Sequence, residues 1–153
     1  MRVHIPIQLR WGDMDAYNHV NNVEIMRLLE EARVRAFWRP PTGEAAPTAV
    51  LNAEAGSDTI TLIAGHVVEY LAPIEYHRDP VDVQLWLSGV GGASATICYE
   101  IVSQSQLSVR AESTMVFVDA ATGRPRRIAS REREAWEPYF GDRIVFKRDS
   151  RSR

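Results

Sequence analysis

The sequence predicts an α+β protein in which an antiparallel sheet is laid over one long helix. Three observations lead there. Residues 21–38 repeat their apolar side chains at three- and four-residue steps, almost every other periodic segment alternates with a period of two, and the order runs strand, helix, then four or five consecutive strands. At 153 residues, 45% hydrophobic and 25% charged, the chain has the size and mix of one compact unit rather than of a disordered polymer. A single domain is expected over residues 1–140, with a frayed, solvated C-terminal tail over 141–153.

The elements follow in order. Val3, Ile5, Ile7, Leu9 and Trp11 alternate with polar partners and read as a strand with one buried face, and Pro6, which cannot donate to a ladder, places it at an edge or a bulge. The run Gly12-Asp13-Met14-Asp15-Ala16-Tyr17-Asn18 is rich in turn formers and reads as a loop. The helix has Ile25, Leu28, Leu29, Ala32 and Ala36 on its apolar face and Glu24, Arg27, Glu31 and Arg35 on a solvated stripe. Asn21 or Asn22 suits its N-cap, and Pro40-Pro41 forbids its continuation.

Residues 39–47 read as a loop, Thr48–Asn52 as a short strand, and Ala55–Asp58 as a turn. One long strand is expected to present Ile60, Leu62, Ala64, His66, Val68 and Tyr70 on one face, with Pro73 ending or bending it. Val81–Leu87, Ala95–Ile101 and Val109–Phe117 complete the sheet, with turns at Gly89–Gly92 and Asp119–Arg124. A short amphipathic helix fits Ser130–Tyr139. The sheet edges left by a single covering helix favour a homo-oligomer.

Several function classes are excluded. A net charge of −2 supplies no basic field for nucleic acid. No stretch approaches the roughly 20 apolar residues of a membrane helix, and the first residues lack the apolar core of a signal peptide, so a cytoplasmic protein is expected. Cys98, the lone cysteine, can form neither an internal disulfide nor a paired-cysteine zinc site. The loop starting at Asp13 puts Tyr17 and Asn18 where a calcium loop needs an oxygen ligand and a glycine. His4, His66 and His77 share no ligand spacing with His19, so no metal is expected. Gly89, Gly91 and Gly92 precede no phosphate-binding helix, and no serine sits in a nucleophile elbow.

The segment from Arg10 to Asn22 is the one denser in polar groups than folding requires. It delivers Asp15 and His19 beside the unpaired N–H groups and positive end of a helix, a place suited to stabilise an oxyanion while a carboxylate attacks or activates water. Asx residues before a helix also serve as ordinary caps, so the residues alone leave both readings open.

The run RWGDMDAYNHVNNVEIMRLLEEAR resembles the signature of the 4-hydroxybenzoyl-CoA thioesterase-like branch of the hotdog-fold superfamily. The segments VEYLAPIEYHRDPVDVQLWLSGVGGASATICYEI and AESTMVFVDAATGRPRRI resemble its central strands, so that the resemblance covers residues 3–128. It implies a hotdog fold, a curved antiparallel sheet wrapped around one central helix, in a homodimer or homotetramer that hydrolyses acyl-CoA thioesters without metal or bound cofactor. It also implies that Asp15 is the catalytic carboxylate, as nucleophile or general base, and that the Asn22 N–H polarises the thioester carbonyl.

HVNN at residues 19–22 resembles the motif of acyl-ACP thioesterases, making His19 a further catalytic candidate, but Tyr17 stands where those enzymes carry asparagine. Tyr17 is kept as a helper. Asn18 replaces a common glycine and, like glycine, tolerates a left-handed backbone. Gly91 and Ser94 match the turn that holds part of coenzyme A, the substrate's carrier. Glu30 reads either as lining an acyl pocket or as pairing with Arg33, and Val23, Met26, Phe37 and Trp38 as a pocket wall or as core. Arg124, Arg126 and Arg127 read as phosphate contacts or as a solvated turn. An acyl-ACP thioesterase and a non-catalytic acyl-CoA binder are the alternative functions.

Overall fold

In a computed structural model that describes residues 1–52 and 56–150, β1 (Val3–Ile7) precedes the long helix α1 (Asn22–Phe37). Four strands follow, β2 (Thr59–Tyr70), β3 (Val81–Val90), β4 (Ser94–Ser103) and β5 (Gln106–Asp119), then α2 (Ser130–Trp136) and α3 (Lys147–Ser150). The expected turn at residues 55–58 lies partly outside the described residues, as do Arg151 and Arg153 of the tail. The strands form one antiparallel sheet in the order β1-β3-β4-β5-β2, with β1 and β2 as its edges. This is the hotdog architecture, with α1 seated on the concave face.

The core follows the alternation. Val81, Val83, Leu85 and Leu87 of β3, Ala95, Ile97, Tyr99 and Ile101 of β4, and Val109, Ala111, Met115 and Phe117 of β5 are buried against Ile25, Leu28, Leu29, Ala32 and Ala36. Trp136 of α2 plugs one end of the core, edge-on to Phe37 at 5.7 Å between ring centroids, while its indole N–H donates to the Thr48 carbonyl at 3.0 Å. Pro6 does lie on an edge strand, opposite Asp82 of β3.

Four expectations are corrected. β1 stops at Ile7; Leu9 is still buried, but a turn of 3-10 helix at Trp11–Asp13 swings Trp11 into solvent. Residues 48–52 are no strand, and Leu51 only bridges to Trp38. β2 slips register between Ile63 and Gly65, so Ala64 is a bulge that moves Ile60 and Leu62 to the convex face, 46% and 53% exposed, while Ile63 faces Met115 across the ladder.

The segment expected to fray from residue 141 instead packs on the convex face. Ile144 and Phe146 are buried with Trp86 and Cys98, Arg143 grips Glu112 through two contacts of 2.9 Å, and the Gly141 N–H donates to the Leu87 carbonyl. Gly141 is required there, because a Cβ would meet Trp86 Cδ1 at 2.9 Å.

Candidate active site

The loop between β1 and α1 is fixed at three points. Met14 bridges to Val20 and His19 to Glu75, and the Val20 N–H donates to the Ile74 carbonyl at 2.8 Å. Asn21 caps α1, with its backbone extended and its side-chain oxygen accepting the Val23 N–H at 3.0 Å. The Asn21 N–H is itself taken by the Asp13 carbonyl at 2.8 Å. The N–H of Asn22, at the first position of the helix, has no partner among the described residues.

Asp15 lines the same cleft as Asn22 and sits in a tight turn. The Asp15 N–H donates to the His19 carbonyl at 2.8 Å, and the Asn18 N–H returns to the Asp15 carbonyl at 3.2 Å, with Asn18 in the left-handed region at φ 61°. One carboxylate oxygen, Oδ1, accepts the N–H groups of Tyr17 and His19 at 2.8 and 3.2 Å. The other, Oδ2, has no hydrogen-bond partner among the described residues. One oxygen is thereby anchored while its twin keeps its lone pairs for a ligand.

Asp15, His19, Asn21, Asn22 and Ile25 form one wall of a cleft of about 480 Å³, and Tyr70–Ile74 with Val109 forms the other. A half-buried carboxylate, an imidazole, a vacant helix-terminal N–H and an apolar wall therefore face one space. That combination can hold a carbonyl oxygen against the helix dipole while a carboxylate oxygen or the water it activates attacks the carbon. A larger cleft of about 840 Å³ opens between β1, the last turn of α1 and residues 39–47, but no helix N-terminus reaches it.

The other expected residues fall elsewhere. Tyr17 contributes its N–H, but its side chain is 80% exposed at the tip of the turn and lines no part of the cleft. Gly91 and Ser94 close the β3–β4 hairpin, where the Gly91 N–H donates to the Ser94 carbonyl at 2.8 Å and Arg133 donates to the Gly91 carbonyl at 2.9 Å. Ser94 lies seven residues along β4 from Ile101, the partner of Val109, so that hairpin is about 23 Å from the cleft within one chain.

Glu30 is exposed and Arg33 buried, 3.6 Å apart, and Arg33 Nη1 donates to the Tyr99 hydroxyl at 3.2 Å. Phe37 is core, Val23 is 68% exposed, and the cleft takes its apolar helix residue from Ile25 instead. Arg126 forks onto Glu132 at 2.7 and 2.9 Å and donates to Thr59, so it is structural, while Arg124 and Arg127 are exposed. Among the described residues no three His, Cys, Asp or Glu side chains gather as a metal site would.

Asp13 is more than a turn former. Its carboxylate is fully buried, accepting the Arg10 N–H and guanidinium and both contacts from Arg27 Nη2. Burial alone would lift this carboxyl, but the Arg10 hydrogen bonds and the Arg27 and Arg10 charges outweigh it and hold the group below the usual aspartate range. Two arginines spaced to reach one aspartate, from the loop and from the second turn of α1, were the available clue.

A family model described as the thioesterase-like superfamily matches residues 9–136. Among solved structures the chain is similar to a predicted thioesterase from Bacillus stearothermophilus, at 20% identity and a TM-score of 0.75, covering 94% of this chain and 100% of that one. At that identity the likeness concerns the fold alone. It is also similar to a provisionally named thioesterase from Pseudomonas aeruginosa, at 28% identity and a TM-score of 0.71, covering 88% and 95% of the two chains. A thioesterase from Thermus thermophilus, complexed with coenzyme A and zinc, matches at 25% identity and a TM-score of 0.71 over 92% and 96%. No curated protein sequence matches the chain. No described helix is long and apolar enough to cross a membrane.

Proposed function

The chain belongs to the thioesterase-like superfamily and is a thioester hydrolase, and from that premise we propose that it cleaves acyl-CoA at the cleft where α1 begins. Water and the thioester give a carboxylate and free coenzyme A. The thioester oxygen accepts from the Asn22 N–H, which stabilises the charge that grows on it. Asp15 Oδ2 attacks the carbonyl carbon, or takes a proton from the water that does. His19, on the same cleft wall as Asp15, assists proton transfer to the departing sulfur in this reading. The observation that carries this reading is the split environment of the Asp15 carboxylate in the cleft wall, one oxygen anchored by two backbone N–H groups and the other without a partner among the described residues. The coenzyme A held by the Thermus thermophilus relative supports the choice of carrier.

A homodimer completes the site in this proposal. β2 presents an edge with no ladder partner among the described residues, and the outward face of α1 leaves Val23 and Val34 exposed. Antiparallel pairing of two β2 edges brings the Ser94 end of one sheet toward the Tyr70 end of the other. Gly91 and Ser94 of one copy thereby come within reach of a coenzyme A bound at the partner copy's cleft.

The test is thiol release from a panel of acyl-CoAs by the wild type and Asp15→Asn, with acyl-ACP in parallel. The amide can still accept both backbone N–H groups, so the loop should keep its shape while kcat falls by about 10²–10⁴-fold. Equal rates for the two proteins would reject Asp15, and saturable acyl-CoA binding without thiol release would make the protein a binder.

A further inference from the structure

We propose that Asp13 is a positioning residue that sets the distance and angle between Asp15 and the Asn22 N–H; the proposal rests on the hydrolytic reading above. Asp13 grips α1 twice. Its main-chain carbonyl takes the Asn21 N–H at 2.8 Å, fixing the cap. Its side chain takes Arg27 Nη2 on both oxygens at 3.1 Å each, more than a turn further along the same helix. Two attachments to one rigid element resist both translation and rotation of that element, where a single cap bond would act as a hinge. Asp15 lies two residues further along the loop, so whatever fixes Asp13 against α1 fixes the acid against the amide.

The grip on the loop side is equally redundant. The Asp13 N–H donates to the Arg10 carbonyl at 3.0 Å, and the Arg10 N–H returns to Asp13 Oδ2 at 2.8 Å, closing the turn on itself. Arg10 and Arg27 also share Glu24, at 3.2 and 2.5 Å, so two cations and two carboxylates form a closed group of zero formal charge. A neutral group adds little field at Asp15, so it acts through geometry.

Stability alone explains this construction poorly. Three charged side chains gathered around a fully buried carboxylate carry a desolvation cost that apolar packing avoids, and what such a network supplies is a defined register. The Asn21 amide is also consumed by the clamp, which leaves the Asn22 amide as the donor that faces the cleft.

The experiment is Asp13→Asn, near-isosteric and uncharged, read three ways on the intact protein. Since an ångström of misplacement at reacting groups costs on the order of 10²-fold, kcat per folded molecule should fall by about 10–10²-fold while KM stays within about threefold. The loss should persist across the whole pH plateau; a shifted acidic limb with an unchanged plateau, the mark of the extra positive charge the variant leaves, overturns a geometric role. The Asn22 amide resonance should move in a ¹⁵N correlation spectrum while amides of β4 stay in place. Unchanged kcat, or a loss matching only the fall in folded fraction, with the Asn22 resonance unmoved, overturns the proposal.

If wild type releases thiol from no acyl-CoA, the hydrolytic reading fails separately, and the Asn22 resonance still decides whether Asp13 holds that amide. Should Asp13→Asn not fold, Arg27→Gln, which cuts the helix-side grip from a half-exposed position, answers the same question, with Arg27→Lys expected to recover part of the rate.

Discussion

Replacing Asn22 by proline removes one atom group from the proposed chemistry and almost nothing from the fold. Asn22 is the first residue of α1, where the proline ring's fixed φ suits the helix and the missing N–H breaks no helical bond. Asn21 before it already has φ −60° and ψ 141°, the extended backbone a following proline demands. The Asn22 N–H has no partner among the described residues, so no internal hydrogen bond is lost. Presetting φ at a compatible site stabilises by about 0.4–1 kcal/mol, and urea unfolding should move in that direction.

Activity should move the other way. Loss of one oxyanion donor costs roughly 3–4 kcal/mol of barrier, or about 10²–10³-fold in kcat. Asn22→Ala is the necessary companion, since it deletes the same side chain and keeps the N–H. The comparison is steady-state thiol release by the two variants on one acyl-CoA. A proline variant that is folded and hydrolyses within about threefold of the alanine variant would refute the assignment of that amide to the oxyanion.

Two further outcomes follow from other parts of the fold. Burial alone would raise the Glu132 carboxyl, but the Arg126 fork and the Ala129 N–H outweigh it and hold it below the usual glutamate range. A carboxyl depressed in the folded state adds stability that is complete above its unfolded value, near pH 4.3, and is lost as pH falls through the folded one. Urea titrations from neutral pH downward should therefore show a steeper acid loss in wild type than in Glu132→Gln, and parallel curves would contradict this. Burial also pushes the Cys98 thiol upward, and Phe146 lies over it. Cys98 should resist a thiol reagent until the protein opens, and Phe146→Ala, at a cost of about 3 kcal/mol, should speed labelling. Labelling at the wild-type rate would show that Phe146 does not guard it.

What the sequence made readable were features with local causes. The helix announced itself through its apolar spacing, Asn21 and the Pro40-Pro41 stop, and the inner rows of β3, β4 and β5 through strict alternation. Asn18 could be expected in a left-handed turn because asparagine tolerates one. The candidate site was legible where residues adjacent in the chain stay adjacent in space, as Asp15, His19 and Asn22 do. Long-range choices were hidden. Nothing in Ile60-Thr61-Leu62-Ile63-Ala64 shows that the ladder to β5 slips at Ala64, because the bulge is set by the pairing strand. Phe146 and Ile144 lie in a charged, Pro-free tail whose burial depends on Trp86 and Cys98, far earlier in the chain. Asp13 looked like one more turn former until Arg27 reached it from the helix.

The packing of residues 141–146 over Trp86 and Cys98 has a bearing on assembly. With the part of its back over Trp86 and Cys98 already papered over by its own residues 141–146, a subunit offers no bare sheet there for a neighbour to stack against. Growth is steered to the rims instead, so copies of this chain should meet side by side, lengthening a shared ribbon rather than thickening it into layers.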